Sequence, residues 1–290
     1  MAKCFLYIFD IVIYRHKKMP SVQTIISNAF KNKESLSKQD TIDAIEQTIY
    51  KLDNGIKRVA EKDINGEWIV NDYVKKAIIL YFQIKKMKKM DCDPFEFYDK
   101  IPLKKNFEQK NIRVVPHAIA RYGSFINENS ILMPSYINIG AYVGCGSMID
   151  TWATIGSCAQ IGDNVHISGG VGIGGVLEPI QAKPVIIEDN CFIGSRCIVV
   201  EGVQVKAEAV LGAGVVLTQS TKIIDVSNSE AKYYKGVIPA GSVVIPGAFE
   251  KKFKAGTFSV PCALIIGKRK ESTDKKTTLN NALREFNVSI

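Results

Sequence analysis

The chain has 290 residues, 46% hydrophobic and 23% charged, a globular composition that fits one large or two modest domains and excludes a disordered or collagen-like chain. No apolar run reaches the roughly 18 residues of a membrane span; the longest, Cys4 to Tyr14, is broken by Asp10 and runs into Arg15, His16, Lys17 and Lys18 without a cleavage site, so a cytoplasmic protein without anchor or secretory signal is expected. The net charge of +9 sits on the flanks, because residues 119–224 carry 5 basic and 8 acidic side chains, a distribution that argues against a nucleic-acid partner.

In chain order, residues 1–18 stand apart as a leader, and translation is expected to start at Met19. An α-rich domain is predicted over 19–110. Val22, Ile25, Ile26, Ala29 and Phe30 share one helix face, with Ser21 as N-cap. Ile42, Ile45, Ile49 and Leu52 make a second helix ended by Asn54–Gly55. A short hairpin turns at Asn65–Gly66, and Val74, Ala77, Ile78, Tyr81 and Phe82 make a third helix.

From Ile119 the chain repeats every six residues: Phe125, Ile131, Ile137, Val143, Ile149, Ile155, Ile161, Ile167 and Ile173, then Ile187, Ile193, Val199, Val205, Leu211 and Leu217. Four residues after each, the side chain is usually small, with Asn129 the misfit. A helix of 3.6 residues per turn would smear such a stripe, whereas a parallel β-helix gives each hexapeptide one short side of a triangular coil. The fourteen-residue gap after Ile173 reads as two hexapeptides plus two residues, with Gly174 to Ile186 as a loop. The pattern resembles that of hexapeptide-repeat proteins, whose coils are left-handed. The expected fold is therefore mainly β: a left-handed parallel β-helix over 111–247, an α-rich N-terminal domain, and a C-terminal capping segment over 248–290 with a short helix about Leu279, Leu283 and Phe286. The basic residues from Lys268 onward are read as a solvated tail or as a contact for a phosphorylated cofactor.

The seven cysteines are odd in number and lack a CxxC, which fits reduced thiols; Cys191 and Cys197 fall on inward small positions and are expected to fill the core. Three histidines, His16, His117 and His166, are too few for a three-His metal site, and no metal is expected. His166 is read either as a surface or subunit-contact side chain or as a general base. The glycines from Gly169 to Gly175 lack the Lys-Ser/Thr of a phosphate loop, so close backbone approach is the better account. Asp150 and Glu201 are placed facing out of the prism.

Arg113–Val115, Met133-Pro-Ser-Tyr-Ile-Asn-Ile-Gly-Ala-Tyr142, Asp150-Thr-Trp-Ala-Thr-Ile-Gly-Ser-Cys-Ala-Gln160, Asn164 to Pro179 and Ile187 to Gly194 closely resemble the 2,3,4,5-tetrahydropyridine-2,6-dicarboxylate N-succinyltransferase family, and the similarity is continuous from about Met19 onward. The resemblance implies a homotrimer with active sites between subunits, moving succinyl from the co-substrate succinyl-CoA to the amine of ring-opened tetrahydrodipicolinate in lysine and diaminopimelate biosynthesis. It implies that Arg113 grips a substrate carboxylate, that Asp150 contacts the amine and acts as base or orients it, and that Trp152 lines the pocket. The family reads Arg-Ser-Glu-Val-Val-Glu-Gly where this chain reads Arg196-Cys-Ile-Val-Val-Glu-Gly202, so Ile198 replaces a proposed second catalytic carboxylate. Three consequences stand open: that carboxylate is dispensable, Glu201 or His166 substitutes, or activity is altered. Acetyl-CoA on the same acceptor, and an inactive structural trimer, are the rival readings.

Overall fold

Residues 20–269 are described in a computed structural model; the leader, the expected start at Met19 and the expected helix about Leu283 lie outside them. Helix α1, Val22–Lys31, starts where the Ser21 side chain accepts from the Thr24 N–H. Helix α2, Gln39–Asp53, ends at Asn54, after which Gly55 turns at a φ of +71°. Gly55 is required twice over, since a Cβ there would also lie 2.7 Å from the Phe125 ring. The hairpin Ala60–Lys62/Trp68–Val70 leads to helix α3, Asp72–Ile84. The apolar stripes of the three helices meet in a core that includes Ile26, Ile45, Ile49, Ile78 and Leu80, and that core closes on Ile139 and Cys158 of the solenoid. The helices thus lie against the flank of the solenoid's early coils.

The solenoid is a three-sided parallel β-helix of two six-stranded sheets and one ten-stranded sheet. Its strands are mostly two residues long, the first pointing outward and the second inward. Face one carries Arg113–Val114, Ile131–Leu132, Met148–Ile149, His166–Ile167, Phe192–Ile193 and Val210–Leu211. Face two carries Ile119–Ala120, Tyr136–Ile137, Thr154–Ile155, Gly172–Ile173, Ile198–Val199 and Val216–Leu217. Face three carries Phe125–Ile126, Tyr142–Val143, Gln160–Ile161, Ile186–Ile187, Gln204–Val205 and Val237–Ile238. The inward residues form one dry column from Ala120 to Ile238.

Two features depart from the hexapeptide reading. Ile119, Phe125 and Ile131 point outward; Ala120, Ile126 and Leu132 are the buried residues, and the step from Leu132 to Ile137 is five residues. Each of these early strands holds two apolar residues in sequence, so the period alone cannot tell the faces apart. The shift also accounts for Asn129, since the small inward positions are the buried Ser124 and Ser130. Secondly, Ile161 pairs directly with Ile187, so the 26-residue stretch between them is one coil where Val143 to Ile161 takes 18. The segment after Ile173 is one side with eight inserted residues, rather than two further hexapeptides.

Hairpins appear where the sequence pattern gave none. Lys88–Cys92 pairs with Phe95–Asp99, and a long ribbon pairs Ser242–Phe253 with Gly256–Lys268. The first strand of that ribbon joins face one at Val243 and Val244 and runs unbroken to Phe253, across residue 247, where a boundary was expected. Cys191 and Cys197 fill the core as read, their thiols donating to the Lys206 and Gly212 carbonyls; burial pushes them up to about 12 and about 11, so neither is a nucleophile at neutral pH.

Polar contacts lock the helical unit to the prism. Arg58 stacks over Tyr142 at 3.6 Å while its Nε donates to the fully buried Gln160. Lys75, also fully buried, donates from α3 to the Pro179 and Ala182 carbonyls of the inserted loop. Trp68 Nε1 donates to Glu188 at 2.8 Å, with Lys62 and Lys206 beside that carboxylate. Burial alone would raise the Glu188 carboxyl, but the Trp68 hydrogen bond and the two lysines hold it below its ordinary value. Trp68→Phe is therefore expected to cost about 1.5–3 kcal/mol of stability. A carboxyl depressed on folding stabilises fully above its unfolded value, near 4.5, and loses that contribution as pH falls through its folded value. Urea melts of wild type and Glu188→Gln should then converge between about pH 7 and about pH 3; a gap independent of pH would mean that Glu188 contributes through packing alone.

Candidate active site

The corner between faces one and two gathers most of the residues singled out from sequence. Asp150 follows the inward Ile149 at the end of a face-one strand, and its Oδ1 accepts from the Thr151 N–H at 2.6 Å and the Thr151 hydroxyl at 3.2 Å. Among the described residues Oδ2 has no hydrogen-bond partner, so one carboxylate oxygen is unspent. Trp152 makes the turn itself. Its φ is +62°, a region that a bulky side chain enters only under strain, and its N–H donates to the Pro134 carbonyl at 2.7 Å. The indole is 66% exposed and stands 5.5 Å from the His117 ring, which in turn meets Phe95 of the hairpin at 5.8 Å.

Beside Trp152 lies a cavity of about 210 Å³, walled by His117, Ile119, Pro134, Tyr136 and Thr154, with Ser135 at its base. Ser135 is the exception in a ladder. Ser130, Ser147, Cys191 and Cys197 each donate across to a carbonyl of the next coil, while Ser135 Oγ is buried without a partner among the described residues.

Arg113 is the first outward residue of face one, exposed and two coils from Asp150. His166 pairs across from Met148, two residues short of Asp150 along the neighbouring strand, and stacks flat on Phe192 at 4.8 Å and 3°. Burial pushes the His166 imidazole below the usual histidine range, with Asp150 pulling the other way. The geometry thus brings Arg113, Asp150, Trp152 and His166 to one face and its edge. It does not bring Glu201 there. Glu201 turns the corner between faces two and three and accepts from the Gln219 N–H at 3.0 Å. Ile198 points outward from face two and is 36% exposed, with Val216 beyond it 49% exposed. The glycine run is a site of backbone contact: a Cβ on Gly156 would lie 2.1 Å from Gly175 N, and one on Gly174 would lie 2.7 Å from Val200. No group of three or more metal-binding side chains occurs among the described residues.

One residue at this corner escaped the sequence reading. Gly170 and Arg196 occupy the same left-handed turn as Trp152 in the next two coils, with φ of +67° and +60°. The Arg196 side chain folds back along the corner, so that its Cδ and Nε would lie 2.8 Å from a Cβ on Gly170. Trp152 and Gly170 are one ordinary coil apart, but the inserted loop separates Gly170 from Arg196 and hides the alignment in the sequence.

The chain is a hexapeptide solenoid with a carboxylate and an aromatic wall at one corner, and its repeat is that of a hexapeptide-repeat transferase. Residues 21–84 match the family model for the tetrahydrodipicolinate N-succinyltransferase N-terminal region, and residues 184–219 match that for the hexapeptide repeat of succinyl-transferase. The chain is 51% identical to the 2,3,4,5-tetrahydropyridine-2,6-dicarboxylate N-succinyltransferase of Pseudoalteromonas translucida, over 92% of this chain and 99% of that one. It is 51% identical to the enzyme of that name in Legionella pneumophila, over 92% and 98%, and 53% identical to that of Ralstonia nicotianae, over 91% and 98%. The chain belongs to the tetrahydrodipicolinate N-succinyltransferase family, and it is an acyltransferase.

Strain at Trp152 gives a test of its role. Trp152→Asn suits the left-handed turn and removes the aromatic wall. It is expected to unfold within about 1 kcal/mol of wild type, or above it, while losing transfer activity. A loss of more than about 2 kcal/mol would instead make the ring a structural element.

Proposed function

We propose that this protein transfers the succinyl group of succinyl-CoA to the amine of ring-opened tetrahydrodipicolinate, 2-amino-6-oxopimelate, in lysine and diaminopimelate biosynthesis. The observation that carries this reading is the 51% identity over nearly the full length of an enzyme so named, together with an Asp150 carboxylate oxygen left unspent beside an aromatic wall. The acceptor amine attacks the thioester carbonyl, the new N–C bond forms, the C–S bond breaks, and CoA leaves as the thiol. The amine must shed a proton for this, and Asp150, positioned by its own Thr151 N–H, is the acceptor within reach of the corner. Arg113 supplies a planar fork for one acceptor carboxylate, and Trp152 walls the pocket.

The working unit in this reading is a cytoplasmic homotrimer with active sites between subunits. Face two supports it, because Ile198 and Val216 leave an apolar strip uncovered. So does the ribbon Ser242–Lys268, whose outer half, with Phe253 and Phe258, is exposed on both sides although a lone two-stranded ribbon is marginal in water. Glu201 stands on another edge of the prism from Asp150, so a role for it would come from a neighbouring subunit.

Thiol release with tetrahydrodipicolinate and either succinyl-CoA or acetyl-CoA tests the function. Fast release dependent on the acceptor and favouring succinyl-CoA is expected. A preference for acetyl-CoA would change the donor, and no release from folded protein with either would make Ile198 the mark of an inactive relic. Asp150→Asn is expected to keep the assembly and lose at least about 100-fold in rate; wild-type turnover in that variant would remove Asp150 from the mechanism. Light scattering should give three times the 32.1 kDa chain mass, and a monomer would place the whole site within one chain.

A further inference from the structure

The acceptor in the reading above carries two carboxylates, one beside the amine and one at the far end. A carboxylate drawn out of water onto a protein surface needs a cation or several donors. Arg113 can meet one of them. The question is which group meets the other.

Arg196 has the placement. It lies on the same corner as Asp150 and Trp152, and its guanidinium makes no hydrogen bond or ion pair among the described residues. Its side chain does not extend into solvent at random but lies along the corner over Gly170, in the space that any other residue's Cβ would fill. Gly170 belongs to the coil next to that of Asp150, and Arg113 lies two coils on the other side. By backbone, Arg113 and Arg196 each lie two coils from Asp150 on opposite sides, about 10 Å along the axis. The Arg196 side chain, however, folds back over Gly170, which brings its guanidinium to about one coil, about 5 Å, from the level of Asp150.

We infer that Arg196 is the clamp for the acceptor carboxylate adjacent to the amine. This inference rests on the function proposed above. The acceptor then lies along the prism axis. Its amine is at Asp150, its near carboxylate at Arg196 and its far carboxylate at Arg113. The fold-back of Arg196 toward the level of Asp150 suits an α-amino dicarboxylate, whose nitrogen is close to one of its two carboxylates.

Arg196→Asn keeps a residue that accepts the left-handed turn, and Arg196→Lys keeps the charge without the fork. With wild type active in the thiol-release assay, Arg196→Asn is expected to raise the acceptor KM about 10- to 100-fold. The succinyl-CoA KM should stay within about twofold and the melting temperature unchanged, with the lysine variant recovering part of the loss. Calorimetry with pimelate, an unreactive straight dicarboxylate, should show the same weakening without turnover. A rise in the succinyl-CoA KM alone would assign Arg196 to the donor's carboxylate and overturn the inference, as would unchanged kinetics and pimelate binding. A wild-type protein inert toward the acceptor would instead remove the function on which the inference stands.

Discussion

The inward column of the solenoid is the constraint on which the rest depends. Each coil can bury its aliphatic side chains only by stacking on the coil before it, and the strand pairs fix that stacking residue for residue. Corners therefore recur at the same place on successive coils. A side chain at a corner has neighbours from 18 residues earlier and later, not from its own stretch of sequence. Asp150, Trp152, Gly170 and Arg196 meet for this reason, and the turn they share imposes a left-handed backbone on residues as different as tryptophan, glycine and arginine.

The coil that breaks the rule is held from outside. The eight inserted residues after Ile173 cannot join the ladder, so their carbonyls need other donors. Lys75 of α3 supplies them at Pro179 and Ala182, buried and without an ion pair among the described residues. Desolvation lowers the pKa of its ammonium, and that cost is borne to fix the loop. Leu177 of the loop packs on the helical core as well. The N-terminal helices and the insertion thus form one mechanical unit, latched a second time where Trp68, Lys62 and Lys206 surround Glu188.

The candidate site uses little of this framework chemically. One carboxylate, one aromatic wall and two guanidinium groups without ion pairs among the described residues are placed on a rigid edge, and the reaction proposed needs only a proton acceptor and orientation. The position of Ile198 fits that economy. It stands on the outer side of face two with its Cδ1 over Gly172, away from Asp150, and contributes apolar surface instead of charge. Glu201, at the third edge, is engaged by the Gln219 N–H. Within one chain, Asp150 stands as the sole carboxylate of its corner among the described residues.

The sequence by itself determined the repeat and the three helices, with Ser21 and Asn54–Gly55 as caps, because these follow from spacings of a few residues and from local propensity; Arg113, Asp150 and Trp152 stood out only through the resemblance of their motifs to a family. Sequence spacing fixed the period of the first coils but not their phase. Ile119–Ala120, Phe125–Ile126 and Ile131–Leu132 are apolar at both positions, and only the pairing of Ala120 with Ile137 tells which one faces inward. The ribbon Ser242–Lys268 left no clear trace, since its outer half is exposed on both sides and it carries Pro246 and Pro261. The place of Arg196 at the Asp150 corner was hidden for a different reason: an insertion displaced it from the 18-residue step, and only the closing of the coil returns it to the corner. What tertiary structure decided is thus whatever depends on which coil lies above which, a distance in space that no local pattern of residues encodes.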